Sequence, residues 1–133
     1  MTPVFRQSRP QVRSFHSTLR RDEIIKQANA ETFRKAISNK DRTVIVDFYA
    51  DWCQPCKVLA PVLEKVVKNP EMKTSTGTPV DLVTVNADEE ADLAAEFDVR
   101  ALPTVMAFRE GKPVGKFAGA FPEADVRAFV ERV

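Results

Sequence analysis

The chain is poor in the residues that hold several common classes of protein together. Of its 133 residues, two are cysteines and one is a histidine. The two cysteines lie three positions apart, so a framework of disulfides cannot hold the fold. The apolar runs are only a few residues long, well short of the roughly 20 residues of a membrane-spanning helix. The sequence therefore predicts neither a disulfide-rich scaffold nor a membrane span.

Acidic residues are absent from residues 1–21, whereas five of the chain's 20 Lys and Arg residues lie there. This segment carries a charge of +5, and the remainder, with 15 basic and 19 acidic residues, carries −4. The apolar residues that fall on one side of its helical wheel are Val4, Phe5, Val12, Phe15 and Leu19. An arginine-rich, acid-free, amphipathic N-terminus is typical of a mitochondrial transit peptide. A disordered basic arm that binds nucleic acid or an acidic membrane is the alternative interpretation.

The run at residues 13–18 resembles a signal that is cleaved twice in the mitochondrial matrix, which places the start of the mature chain near Glu23. We therefore interpret residues 1–22 as a disordered transit peptide that is removed, and residues 23–133 as the working domain. The location that this interpretation implies is the mitochondrial matrix.

Residues 23–133 have the pattern of one α/β domain. Segments rich in β-branched and aromatic residues predict strands, and apolar residues spaced three and four apart predict helices. We predict strands at 24–25, 43–50, 81–87, 104–108 and 114–118, and helices at 29–39, 55–68, 89–97 and from Pro122 onward. Early βαβ connections favour parallel strands, and the Glu110-Gly111 turn favours an antiparallel hairpin. The order β-α-β-α-β-α-β-β-α predicts a mixed sheet with helices on both faces.

The two cysteines stand where a predicted buried strand gives way to a helix. Cys53 lies at the helix N-terminus, where unpaired N–H groups and the positive end of the helix dipole favour a thiolate. Cys53 is therefore the predicted attacking sulfur. One helical turn brings Cys56 close to it, so Cys56 is predicted to resolve the mixed disulfide that Cys53 forms with a substrate.

Other uses of a CxxC pair fit the sequence less well. A zinc site usually needs four nitrogen or sulfur ligands, and the chain has no second CxxC, so we predict no metal site. Its one histidine, His16, lies in the predicted transit peptide, which argues against a Cys-His protease dyad. Lys57 rather than histidine follows Cys56, which argues against haem attachment. A structural pair of reduced cysteines in the core remains an alternative.

Three segments of the sequence resemble the signatures of the thioredoxin family. They read VDFYADWCQPCK at 46–57, DVRALPT at 98–104 and FAGA at 117–120. The spacing between them also fits, and the resemblance covers about residues 23–133. It implies the thioredoxin fold, with a mixed central sheet flanked by helices on both faces, and a redox disulfide between Cys53 and Cys56.

The resemblance implies a role for Asp47, the lone charge in the predicted buried strand. The matching aspartate of the family lies beneath the second cysteine, so Asp47 is expected to have a raised pKa and to accept the proton of Cys56. A position on the solvent-facing side of the strand is the alternative, because alternation alone does not settle its side. Many members carry a lysine near this aspartate where this chain has Thr84, so Asp47 is expected to keep its proton more readily.

The resemblance also implies a substrate groove around the cysteines. Pro103 matches the family's cis-proline, and Leu102 before it is expected to offer its main chain to an extended substrate. The full set of expected groove residues is Trp52, Gln54, Pro55, Leu102, Pro103, Ala118, Gly119 and Ala120. Alternatives are a strand-starting proline at 103 and a core tryptophan at 52. Gln54 replaces the family's usual glycine, so we do not carry over the family's reduction potential.

The function that the resemblance implies is general protein dithiol–disulfide oxidoreduction. No bound cofactor is expected, and an NADPH-dependent flavoprotein, thioredoxin reductase, is expected to restore the dithiol. Expected partners are this reductase and disulfide-containing clients of the peroxiredoxin kind. We expect a monomer that binds no nucleic acid and does not associate stably with a membrane. The alternatives are a thioredoxin-fold oxidase or isomerase, and a non-catalytic module that binds a peptide or partner subunit.

Overall fold

A computed structural model describes residues 23–133 of the chain, so the transit-peptide prediction for residues 1–22 lies outside the described residues. The strands are β1 (Ile24–Ile25), β2 (Thr43–Tyr49), β3 (Val80–Asn86), β4 (Thr104–Arg109) and β5 (Lys112–Ala118). The helices are α1 (Ala30–Ile37), α2 (Gln54–Lys68), α3 (Ala91–Glu96) and α4 (Glu123–Arg132). The predicted order of elements is confirmed.

The five strands form one mixed sheet in the order β1-β3-β2-β4-β5. Strand β3 is parallel to both β1 and β2, because helices α1 and α2 supply the crossover connections. Strand β4 is antiparallel to β2, and β5 is antiparallel to β4 through a two-residue turn. The predicted fold class is therefore confirmed, and β2 lies at the centre of the sheet.

Two apolar clusters cover the two faces of the sheet. On one face, α1 and α3 pack around four aromatic rings, Phe33, Phe48, Phe97 and Phe108. On the other face, α2 and α4 pack their leucine, valine and phenylalanine side chains against β3, β4 and β5. Because both faces of β2 are covered, its first six residues are buried whatever side they point to.

Several boundaries differ from the predicted ones by one or two residues, and two of these shifts have local reasons. Helix α3 begins at Ala91 rather than 89, because the side chain of Asn86 accepts the backbone N–H groups of Asp88 and Glu89 and holds them in a turn. Strand β5 begins at Lys112 rather than 114. Its turn residues Glu110 and Gly111 both have positive φ, which suits a tight two-residue hairpin.

Among the described residues, none of the helices is both long and apolar enough to cross a membrane.

Candidate active site

The turn from β2 into α2 carries the cysteine pair. Cys53 is the N-cap of α2, with φ −89° and ψ 108°, and its sulfur accepts the backbone N–H of Cys56 at 3.2 Å. Pro55 occupies the first turn of the helix, where its missing N–H costs no helical hydrogen bond. In this first turn, the N–H of Cys56 is therefore donated to the Cys53 sulfur.

Cys53 and Cys56 are joined by a disulfide, and their Cα atoms lie 5.3 Å apart. Each is only 3 % exposed. Ala50, Tyr49 and Leu102 pack against the pair. In the reduced protein, the positive end of the α2 dipole would stabilise a thiolate on Cys53, so the geometry suits disulfide exchange.

Asp47 lies in the centre of β2 and is 2 % exposed. Its Oδ1 atom has no hydrogen-bond partner. Burial raises the pKa of the Asp47 carboxyl to about 7. In the sheet, Asp47 lies opposite Thr84 of β3 and Val105 of β4, neither of which carries a charge. The solvent-facing alternative is therefore wrong, because α2 covers this side of the strand.

A pocket of about 330 Å³ connects Asp47 with Cys56. Both residues line it. The remaining lining residues are Lys26, Gln27, Tyr49, Ala50, Asp51, Lys57, Ala60, Glu64 and Thr84.

Sequence reasoning missed Lys26 and Glu64, which meet at this pocket as an ion pair, with Nζ and Oε2 3.2 Å apart. Glu64 had a usable signal, because Ala60 and Glu64 follow Cys56 by four and eight residues and so share its helix face. Lys26 had none. It reaches the site only because β1 pairs with β3, far along the chain.

Trp52 directly precedes Cys53 and does not line the Asp47 pocket, and 70 % of its surface is exposed. Its indole N–H donates to Asp88 at 2.9 Å, a contact that sequence reasoning also missed. The core-tryptophan alternative is therefore wrong. Trp52 and Leu102 line a groove of about 500 Å³ with small side chains, and the other lining residues are Ala87, Ala91, Ala94, Ala95, Val99, Arg100 and Ala101.

Of the remaining expected groove residues, Gln54 and Pro55 lie between the two cysteines in the chain, and Pro103 follows Leu102, which packs against the disulfide. Pro103 is buried and follows a cis peptide bond, and its carbonyl oxygen accepts the N–H of Gly119 at 2.9 Å. This bond holds the turn of Ala118, Gly119 and Ala120 beside the Leu102–Pro103 bond. Gln54 and Pro55 are exposed at the start of α2.

Among residues 23–133, no three His, Cys, Asp or Glu side chains lie close enough together to hold a metal ion.

Comparison with known proteins assigns the whole described region to one family. A family model described as "Thioredoxin" matches residues 24–132. The mitochondrial thioredoxin of Rattus norvegicus is 36 % identical over 121 residues, covering 91 % of this chain and 69 % of that protein. The mitochondrial thioredoxin of Bos taurus is 37 % identical over 123 residues, covering 92 % and 70 %.

Solved structures of thioredoxins also superpose on this chain. Mitochondrial thioredoxin 3 of Saccharomyces cerevisiae, in its oxidised form, is 35 % identical with a TM-score of 0.65, covering 80 % of this chain and 92 % of that one. A mutant thioredoxin from Halobacterium salinarum is 29 % identical with a TM-score of 0.69, covering 84 % and 95 %. The two solved thioredoxins thus share the fold of this chain.

Proposed function

Because the chain belongs to the thioredoxin family and is a dithiol–disulfide oxidoreductase of proteins, we propose that Cys53 is its nucleophile and Cys56 its resolving cysteine. The Cys53 thiolate attacks a client disulfide, forms a mixed disulfide and releases one client thiolate. Cys56 then loses its proton and attacks the Cys53 sulfur, which releases the second client thiolate. The client gains two electrons, and the Cys53–Cys56 disulfide forms.

The observation that carries this proposal is the placement of the disulfide at the N-terminus of α2. The N-cap position gives the Cys53 sulfur an N–H donor at 3.2 Å and the positive end of a helix of 15 residues. These contacts stabilise negative charge on Cys53, both as attacking and as leaving thiolate. Cys56 lies one turn into the helix, where fewer free N–H groups are available.

Asp47 is the proposed proton acceptor for Cys56. Its carboxyl lines the same pocket as Cys56, and its pKa of about 7 suits proton exchange near neutral pH. The carboxylate that takes the proton from Cys56 returns it to solvent through the pocket.

The proposed client site is the surface on the opposite side of the disulfide from Asp47. Trp52 and Leu102 offer exposed apolar area beside the pair. The Leu102 main chain is proposed to pair with an extended client segment, flanked by Gln54 and Pro55 on one side and by Ala118, Gly119 and Ala120 on the other.

Members of this family need no bound cofactor. We propose that an NADPH-dependent flavoprotein, thioredoxin reductase, returns the disulfide to the dithiol, and that clients include proteins of the peroxiredoxin kind. The test is insulin-disulfide reduction with NADPH, thioredoxin reductase and the full chain. We expect NADPH oxidation and insulin precipitation only when all components are present. Absence of both would overturn the reductase function and favour a non-catalytic binding module.

We further propose that the chain works in the mitochondrial matrix. The support is the arginine-rich, acid-free segment 1–21 and the mitochondrial thioredoxins among its relatives. With isolated mitochondria, the full chain is expected to enter a protease-protected compartment and to be shortened to about residue 23, dependent on membrane potential. Import that proceeds without residues 1–21, or without shortening, contradicts this proposal.

A further inference from the structure

The pocket beneath Cys56 has an ion pair at its mouth. Lys26 follows β1 and Glu64 lies on α2, and both side chains line the pocket that reaches Asp47. The exposed side-chain fractions are 64 % for Lys26 and 28 % for Glu64, so Glu64 is partly buried and Lys26 lies on the solvent side of the pair. Glu64 also approaches the Lys68 ammonium at 4.0 Å, but Lys68 does not line the pocket.

The backbone holds Lys26 at this position. The next residue, Gln27, has a φ of 54°, which is unfavourable for a residue with a side chain. Its N–H donates to the Thr84 hydroxyl at 2.8 Å, and the N–H of Ala28 donates to the Thr84 carbonyl at 2.8 Å. Thr84 is the sheet neighbour of Asp47. The segment that follows β1 is thus hydrogen-bonded to Thr84, which lies beside Asp47 in the sheet.

We propose that Lys26 is a positioning residue for proton transfer between Cys56 and Asp47, and that Glu64 governs it by holding the Lys26 ammonium at the pocket mouth. This inference rests on the proposed role of Asp47 as proton acceptor. Lys26 attracts the carboxylate form of Asp47 across the pocket, and Glu64 offsets that attraction. The balance of the two charges sets how readily Asp47 takes a proton from Cys56.

Other charged and titratable groups also line the pocket and are not substituted in these variants. Tyr49 and Asp51 lie at and beyond the end of β2, and Lys57 and Cys56 lie on α2. Strands β3 and β4 contribute Thr84 and Val105 beside Asp47, which do not titrate. Variants of Lys26 and Glu64 therefore change one pair of charges against a constant background.

The proposal predicts shifts of opposite sign. Lys26→Met leaves the Glu64 carboxylate unopposed and is expected to raise the pKa of Asp47 by about 0.5 pH unit. Glu64→Gln leaves the Lys26 ammonium without its carboxylate partner and is expected to lower the pKa of Asp47 by about the same amount. The double variant restores a neutral mouth, so its Asp47 pKa should lie near that of the wild type.

The measurement is the carboxyl ¹³C shift of Asp47 against pH in the oxidised full chain, by NMR. In parallel, the rate at which Cys56 resolves a mixed disulfide is measured against pH, and the acid limb is the part of this profile where the rate falls at low pH. The acid limb should shift by the same number of pH units as the Asp47 titration. At a fixed pH on that limb, a shift of 0.5 pH unit changes the rate about threefold. Raising the salt concentration should shrink both shifts.

The matched control is the pair of Lys65 and Glu123, whose Nζ and Oε1 atoms lie 3.1 Å apart. Lys65 belongs to the same helix as Glu64, but neither control residue lines the pocket. Lys65→Met and Glu123→Gln should move the Asp47 titration by less than about 0.2 pH unit. Lys26→Gln repeats the main test with a different neutral side chain.

Two failures are distinguishable. If Asp47→Asn leaves the acid limb of Cys56 resolution where it was, the proposed role of Asp47 is wrong. If Asp47→Asn removes that limb while the Lys26 and Glu64 variants shift nothing, or shift the titration in the same direction, the inference about the ion pair alone is overturned.

Discussion

Cys53→Ser is expected to lower insulin reduction by more than about 10³-fold, because a serine hydroxyl does not ionise near neutral pH and cannot replace the attacking thiolate. The measurement is NADPH oxidation with thioredoxin reductase and insulin at equal protein concentrations. The Cys53→Ser variant should also accept no electrons from the reductase, since no intramolecular disulfide can form. Turnover within tenfold of the wild type would contradict the mechanism.

Cys56→Ser is the matched control, because it removes the second sulfur of the same helix and keeps the first. It should attack a client disulfide once and then stop, since nothing resolves the mixed disulfide. A covalent adduct with the client should therefore accumulate on a non-reducing gel and disappear with dithiothreitol. Adducts that form on Cys53→Ser rather than on Cys56→Ser would reverse the two assignments.

Asp47→Asn is expected to stabilise the folded protein increasingly as the pH rises. The pKa of Asp47 is about 7 in the folded chain and about 3.9 in an unfolded one. Between these values the folded state holds the proton and the unfolded state does not, so wild-type stability falls as the pH rises and levels off above about 7. The loss amounts to about 4 kcal/mol at most.

The measurement is guanidinium unfolding of the oxidised wild type and Asp47→Asn at several pH values from 4 to 8. The difference in unfolding free energy should grow with pH in favour of the variant and then remain constant. Asp41→Asn is the control, because Asp41 is exposed two residues before β2 and its replacement should change the unfolding free energy by less than about 0.5 kcal/mol. A pH-independent difference for Asp47→Asn would contradict the raised pKa.

The order of strands and helices was predictable because the spacing of apolar residues along the chain differs between the two kinds of element. Apolar runs at residues 43–50 and helical spacing after Pro55 place Cys53 at a strand-to-helix junction without any tertiary information. The two-residue turn at Glu110 and Gly111 likewise follows from local residue types. These features depend on neighbours in the chain, and the structure has them within one or two residues of the predicted positions.

Contacts between distant segments were not predictable in the same way. Strand β2 is buried on both faces, so alternation of apolar and polar residues along it does not reveal the face of the sheet on which Asp47 lies. Lys26 reaches the pocket through strand pairing, and Asp88 reaches Trp52 through the turn after β3. A single sequence carries no local signal for either contact.

The two open edges of the sheet also restrict how another protein chain can attach. Strand β1 is two residues long, which is too short to offer a continuous row of backbone groups. Strand β5 presents Lys112, Pro113 and Lys116 along the opposite edge, and a proline supplies no backbone donor there. Both edges are thus unsuited to adding a strand from an unfolded or aggregating neighbour. The proposed contact of an extended client with the Leu102 main chain therefore lies away from both open edges, beside the disulfide against which Leu102 packs.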